Sequence, residues 1–140
     1  MRLFRFVRFL SVASYFFDVV ALAFTLTPTT TPESIVQLQL QALQEDDMYS
    51  VFKFASPNNK AMTGPWQRFG AMVRSPPYHH LVEHREAHVL LVVTSGDSWR
   101  GLVRVLSKTS ELPVEYWWVL SRSTEGPFSG CYMVDTVLKN

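Results

Sequence analysis

A single cysteine, Cys131, is all that this chain of 140 residues contains. That scarcity excludes an internal disulfide framework and any Cys-x-x-Cys redox or zinc site. Charge of one sign is lacking too: thirteen Lys and Arg stand against twelve Asp and Glu, a formal net charge of +1. Nothing global therefore draws the chain to nucleic acid or to an anionic membrane. No Asn-x-Ser/Thr acceptor for glycosylation occurs, and there is no internal repeat. The apolar stretch from Phe9 to Phe24 is short for a bilayer span and is broken by Asp18. A central Asp costs roughly 2.5–3.5 kcal/mol of insertion free energy, so no stable membrane span is expected.

What the chain has in quantity is apolar and aromatic side chains. Hydrophobic residues make up 47% and the aromatics are ten Phe, five Tyr and four Trp. That is enough to fill the core of one domain and argues against a disordered chain. The distribution is uneven. Residues 1–23 hold Arg2, Arg5 and Arg8 against Asp18, so the basic excess belongs to the N-terminus. Basic residues, an apolar stretch and then Ala21-Leu22-Ala23 follow the order of a secretory signal and its cleavage site. Phe24 directly after that site resembles the presequences of algae with complex plastids. A secretory or plastid destination is one expectation for the segment. The other is a soluble cytoplasmic protein whose amphipathic start puts its three arginines near one helical face. Residues 24–31, rich in Thr and Pro, read as a linker, and residues 32–140 as a single domain.

The domain opens with helices. Thr31 is the expected N-cap, Pro32 the first helical residue and Glu33 an acid favourable to the dipole. Ile35, Val36, Leu38, Leu40, Ala42 and Leu43 form a broad apolar face. A second short helix should follow Asp47, burying Met48, Val51, Phe52 and Ala55 and stopping at Pro57. A third should start at Gly64-Pro65, with Trp66, Phe69, Met72 and Val73 on one side, and end at Ser75-Pro76-Pro77. The period then changes. Residues 86–94, 99–108, 114–122 and 130–138 are four strands, the first two joined by a tight turn at Ser95-Gly96-Asp97-Ser98. Val114, Tyr116, Trp118 and Leu120 give one apolar face, whereas Glu115, Trp117, Val119 and Ser121 give a mixed one. Arg100, Arg104 and Lys108 alternate against Trp99, Val103 and Val105, a basic row suited to a solvated or interfacial sheet surface. The expected fold is α+β, with helices packed on one face of an antiparallel four-stranded sheet.

Several stretches resemble a known family. They are Phe54-Ala55-Ser56-Pro57-Asn58, Thr63-Gly64-Pro65, Arg68-Phe69, Met72 to Tyr78 and Gly130 to Asp135. Together they look like an uncharacterised family of bacterial and plant proteins, domain of unknown function 4864, itself similar to the nuclear-transport-factor-2-like superfamily. The resemblance spans about residues 32–138, and Tyr132 departs from a Trp common in the family. It implies a cone, in which N-terminal helices close the concave side of a strongly curved sheet around an apolar pocket. The superfamily includes isomerases, dehydratases and many non-enzymatic binding or dimerising domains, so fold alone does not assign activity.

Candidate sites follow from residue chemistry. His80-Leu81-Val82-Glu83-His84 matches the His-x-x-Glu-His pattern of an inverted zinc-peptidase helix. Such a helix is not expected between Pro76-Pro77 and a strand beginning at Glu86, so no metal and no cofactor is expected. Tyr78, His80 and Asp135 are the residue types that move protons in an isomerase or dehydratase. Strict alternation puts Tyr132 and Asp135 on opposite faces of one strand, so only a bulge could bring both to one cavity. Trp66, Phe69, Tyr78, Tyr116, Trp118 and Tyr132 are the expected pocket lining, and also the expected core. Arg74, Ser75, Pro76 and Pro77 form a structural loop, with Arg74 bonding its carbonyls. Arg68 and Arg74 could also grip an anion at a pocket mouth. The leading expectation is a non-enzymatic domain that binds a small apolar ligand, or pairs through its sheet with itself or another protein. The alternative is an enzyme using a pocket acid/base pair. No nucleic-acid partner is expected, because no base-stacking aromatics are interleaved with the basic row.

Overall fold

The structure is a computed structural model that describes residues 25–140. The targeting segment expected over residues 1–23, and Phe24 after it, lie outside the described residues. Thr31 accepts a hydrogen bond from the Ser34 amide and Pro32 opens helix α1, Pro32–Gln44. Asp47 caps α2, Met48–Lys53, through the amide and hydroxyl of Ser50. The chain then departs from expectation. Pro57 does not merely stop α2; it opens α3, Pro57–Thr63, behind Ser56, whose hydroxyl accepts from the Asn59 amide. The Ser-Pro pair is the same N-cap and first-position device as Thr31-Pro32. Helix α4, Trp66–Val73, follows Pro65, and Arg74 closes it. A single 3-10 turn, His79–Leu81, leads into the sheet.

Four strands run as an antiparallel meander: β1, Glu86–Ser95; β2, Ser98–Leu106; β3, Val114–Arg122; β4, Tyr132–Lys139. Gly96 takes a φ of 56° in the two-residue turn between β1 and β2, a left-handed conformation that costs glycine little. Alternation decides the faces. Trp99, Val103 and Val105 of β2 and Tyr116, Trp118 and Leu120 of β3 are buried against Ile35, Val36, Leu40 and Leu43 of α1. Arg100 and Arg104 point to the opposite, open face. The architecture is therefore α+β, with the helices preceding a four-stranded antiparallel sheet and burying one of its faces. Among the described residues no helix is long and apolar enough to cross a membrane.

Two register shifts interrupt the ladder. One leaves Leu90 unmatched between the Val89–Val103 and Leu91–Leu102 pairs. The other leaves Asp135 unmatched between the Leu120–Val134 and Val119–Thr136 pairs. Each is a bulge, which shifts the alternation of the strand that carries it.

The two sheet edges are treated differently. Along β4, Val134 pairs in parallel with Ala55; its amide donates to Phe54 O at 2.8 Å and its carbonyl accepts from Ser56 N at 2.8 Å. Asn59 Nδ2 adds a bond to Val134 O at 3.1 Å, and the Tyr78 hydroxyl donates to Val137 O at 2.9 Å. The helical layer thus blunts the β4 edge by hydrogen-bonding it. Among the described residues the β1 edge has no such cover, and Leu90, Leu91, Val92 and Val93 are each at least 40% exposed.

A candidate apolar cavity between helices and sheet

The same contacts frame a cavity of about 160 Å³. Trp118, Val134 and Val137 form its sheet side, and Leu43, Val51, Phe69 and Val73 come from the helices. Its polar side chains are few: Gln39, Asn59, Thr63, Tyr78 and Thr136. Four of these have their hydrogen bonds inside the protein. Gln39, 3% exposed, lies on the apolar face of α1, four residues from both Ile35 and Leu43. Its Nε2 donates to Val51 O at 2.9 Å and its Oε1 accepts from the Trp118 indole at 2.8 Å. Asn59 is held by Val134 O, the Thr63 hydroxyl donates to Asn59 O at 2.8 Å, and Tyr78 is held by Val137 O. Among the described residues no buried side-chain nitrogen or oxygen lacks a partner. The wall therefore offers mainly apolar surface.

Of the six aromatics expected at a pocket, the cavity gathers Phe69, Tyr78 and Trp118. Tyr116 stacks on Tyr78, ring centres 6.4 Å apart, and is wholly buried in the core. Its hydroxyl donates to Pro77 O at 2.7 Å, and burial, then the neighbouring Tyr78, pushes its pKa up to about 12. Trp66, in the first turn of α4, is 37% exposed and meets Tyr49 edge-on at 5.8 Å. Tyr132 lies on the β3–β4 ladder opposite Arg122, whose guanidinium sits 4.4 Å from the ring centre. Neither lines the cavity, because periodicity fixes a face but not a position along it.

The three proton-moving candidates do not converge. Tyr78 is on the cavity wall and is the one titratable side chain among the lining residues. His80 lies in the 3-10 turn, beside a separate surface hollow shared with Asp46 and Arg74. Its pKa is lowered by burial and by the nearby His79 and Lys139. Asp135 is the bulged residue of β4; it is exposed and accepts from the Ser121 hydroxyl at 2.6 Å on the open face. The bulge does not bring it to the cavity but leaves it turned away from the helices.

The His80–His84 motif forms no helix beyond that single turn. His84 is buried, and its Nδ1 donates to Leu81 O at 2.8 Å. Among the described residues no three His, Cys, Asp or Glu side chains are grouped to hold a metal. Arg74 does not bond the loop carbonyls; Nε and Nη2 both reach Asp46 Oδ1 at 3.1 Å. The Ser75–Tyr78 loop is held by others: Ser75 Oγ donates to Ala71 O, the Tyr78 amide to Ser75 O, and Tyr116 to Pro77 O. The Pro76–Pro77 peptide is cis.

Gln39, Asn59, Thr63 and Thr136 are the polar cavity residues that sequence reasoning missed. One signal was available for Gln39, an amide on an otherwise apolar helix stripe. None was available for Asn59 and Thr63, since α3 itself was unforeseen.

Fold and cavity together define an α+β domain whose short helices close a small apolar space against the β4 edge of a meander. The chain belongs to the family described as domain of unknown function DUF4864, whose model matches residues 26–137. That match starts within the expected linker, where Leu26 already packs against the core and Arg122 Nη1 donates to Pro28 O at 3.1 Å. No curated protein and no solved structure matches the chain.

Proposed function

We propose that the domain is a non-enzymatic binding module that takes a small apolar ligand into the cavity between helices and sheet. The observation that carries this reading is the lining: apolar and aromatic surface whose amides and phenol are already bonded to protein. Acid/base catalysis needs a second titratable group within hydrogen-bond reach of Tyr78, and no other lining residue titrates. The expected ligand is an unsubstituted ring or short hydrocarbon, since an apolar cavity of about 150 Å³ is of a size to hold benzene. An apolar pocket on the concave side of the sheet is also what the nuclear-transport-factor-2-like resemblance implies.

The test is a thermal-shift titration of the full chain with benzene, toluene and indole, repeated on Val51→Phe, which puts a ring into the cavity. A ligand at a hundred times its Kd stabilises the protein by about 2.7 kcal/mol. Stabilisation of the wild type that is lost in the variant supports the reading. An unshifted wild type, or equal shifts in both proteins, refutes it.

A second observation favours a second reading, docking of a protein on the open sheet face. Leu91, Leu102, Trp117 and Leu138 are paired in register across all four strands, and Leu91 and Leu138 are about half exposed. A continuous apolar row of this kind marks an interaction surface.

A further inference from the structure

We propose that the hollow between α1 and the start of β1 binds an extended, uncharged peptide segment of another protein through its main chain. The hollow measures about 400 Å³ and shares no lining residue with the apolar cavity or with the Leu91–Leu138 row of the open face. One wall is the stripe Gln37, Gln41 and Gln44 of α1, and the other is the chain from His84 to His88.

His84 carries the argument. The residue is 4% exposed, and its Nδ1 lies 2.8 Å from a group that can only accept, Leu81 O. The proton is therefore on Nδ1, and in the neutral ring Nε2 holds a lone pair. No side chain or amide among the described residues donates to Nε2. Yet among those residues no buried side-chain nitrogen is sealed off without a partner. Nε2 is thus open, and the hollow is the opening that His84 lines. A lone pair held in this way, on a ring fixed by its other nitrogen, is a placed acceptor for an N–H or O–H brought from outside.

Spacing and charge name the ligand. Gln37 and Gln41 are exposed and bond nothing among the described residues, while Gln44 Nε2 donates to His84 O at 3.0 Å and leaves its Oε1 free. Residues four apart on a helix stand about 6 Å apart along its axis, close to the roughly 6.6 Å two-residue repeat of an extended chain. Each primary amide sets a donor beside an acceptor, the complement of a peptide C=O and N–H. The facing wall adds main-chain groups of its own. Glu86 to Val89 pair in unbroken register with β2 on one side and, among the described residues, with no strand on the other. Main-chain bonds of this kind give a bound peptide its affinity. Formal charge in the hollow cancels, Arg85 against Glu86, and both are engaged. Arg85 donates to Ser107 O and Ser110 O, each at 2.9 Å, and Glu86 stands 3.5 Å from His88. An ionic ligand finds no free counter-charge there. A sugar finds no Trp, Tyr or Phe to stack on.

The test is nuclear magnetic resonance of the full chain with two capped peptides, acetyl-Ser-Ala-Ser-Ala-Ser-methylamide and the same peptide N-methylated at both alanines. The first should shift the Nε2 resonance of His84 and the amides of Glu86 to Val89. The second denies one wall its donors in either orientation and should bind roughly tenfold more weakly. Gln41→Ala, with circular dichroism confirming its fold, should weaken the first peptide about fivefold, the loss of one hydrogen bond. Shifts at these resonances that N-methylation suppresses support the proposal. Unshifted resonances at the highest soluble peptide concentration overturn it, as does equal binding of the two peptides. Glucose that shifts the same resonances more than the peptide does makes the hollow a polyol site and also overturns it. Trp117→Lys, which alters only the open face, should leave the peptide shifts in place; their loss puts the peptide on that face and removes the proposal.

Discussion

Gly101→Ala is a change of one methyl group that the structure does not accommodate. Gly101 and Trp99 are two residues apart on the buried face of β2, and the outer edge of the indole's six-membered ring lies against the glycine. A Cβ built at Gly101 would stand 2.7 Å from Cζ3 of Trp99 and closer still to Cη2. The ring has little room to yield, being 2% exposed and tied by its Nε1 to Glu33 Oε1 at 3.0 Å. Overpacking of this kind costs about 1–3 kcal/mol. If the ring tilts to escape, the bond to Glu33 is weakened as well, and a hydrogen bond to a charged group contributes roughly 1.5–3 kcal/mol. The expected loss is about 2–4 kcal/mol, read as a lower urea midpoint with an unchanged slope. The cause is isolated by a double-mutant cycle with Trp99→Leu, in which Gly101→Ala should cost less by about 2 kcal/mol. A Gly101→Ala protein within about 0.5 kcal/mol of wild type, or costs that simply add, would refute the close approach as the reason for glycine here.

Three further outcomes can be measured. Gln39→Leu should lose about 1–3 kcal/mol in urea, because it strands the buried Trp118 indole N–H that Gln39 Oε1 now accepts at 2.8 Å. Tyr78→Phe should lose about 1 kcal/mol and speed hydrogen exchange in β4, where the phenol bonds Val137 O; unchanged exchange there would count against the clamp. Tyr116 is neutral when protonated, and its folded pKa of about 12 lies above an ordinary value of 10. Its stabilising contribution is therefore complete below pH 10 and is lost as pH rises from 10 to 12. Phenol absorbance should show one tyrosine titrating near 12 instead of the ordinary 10, a difference abolished on unfolding.

Local chemistry made parts of this fold readable from residue order. Thr31-Pro32 announced α1 because a cap and a first-turn proline act within four residues. The strands were readable because Trp99, Val103 and Val105, and Val114, Tyr116, Trp118 and Leu120, keep an apolar face at a two-residue period. Ser56-Pro57 carried the same announcement for α3, but proline also terminates helices, and a chain already in α2 made termination the simpler reading. The bulges at Leu90 and Asp135 are set by the neighbouring strand's register, which no single strand encodes. The cavity was legible only as a set of aromatics. Its polar fittings join residues far apart in the chain, Gln39 to Trp118 and Asn59 to Val134, and burial gives no sequence signal for such pairs beyond an amide out of place.

The clamped β4 edge has a consequence for the order in which the molecule comes into being. Helices α1–α4 are synthesised first, yet the strand that satisfies Phe54, Ser56, Asn59 and Tyr78 is the last of the described elements to leave the ribosome. Until it arrives those groups face water and the cavity lacks one wall, however complete the first three strands are. Nascent chains ending before Tyr132 should accordingly be cut readily by protease within α2 and α3, and chains extended past Lys139 should resist.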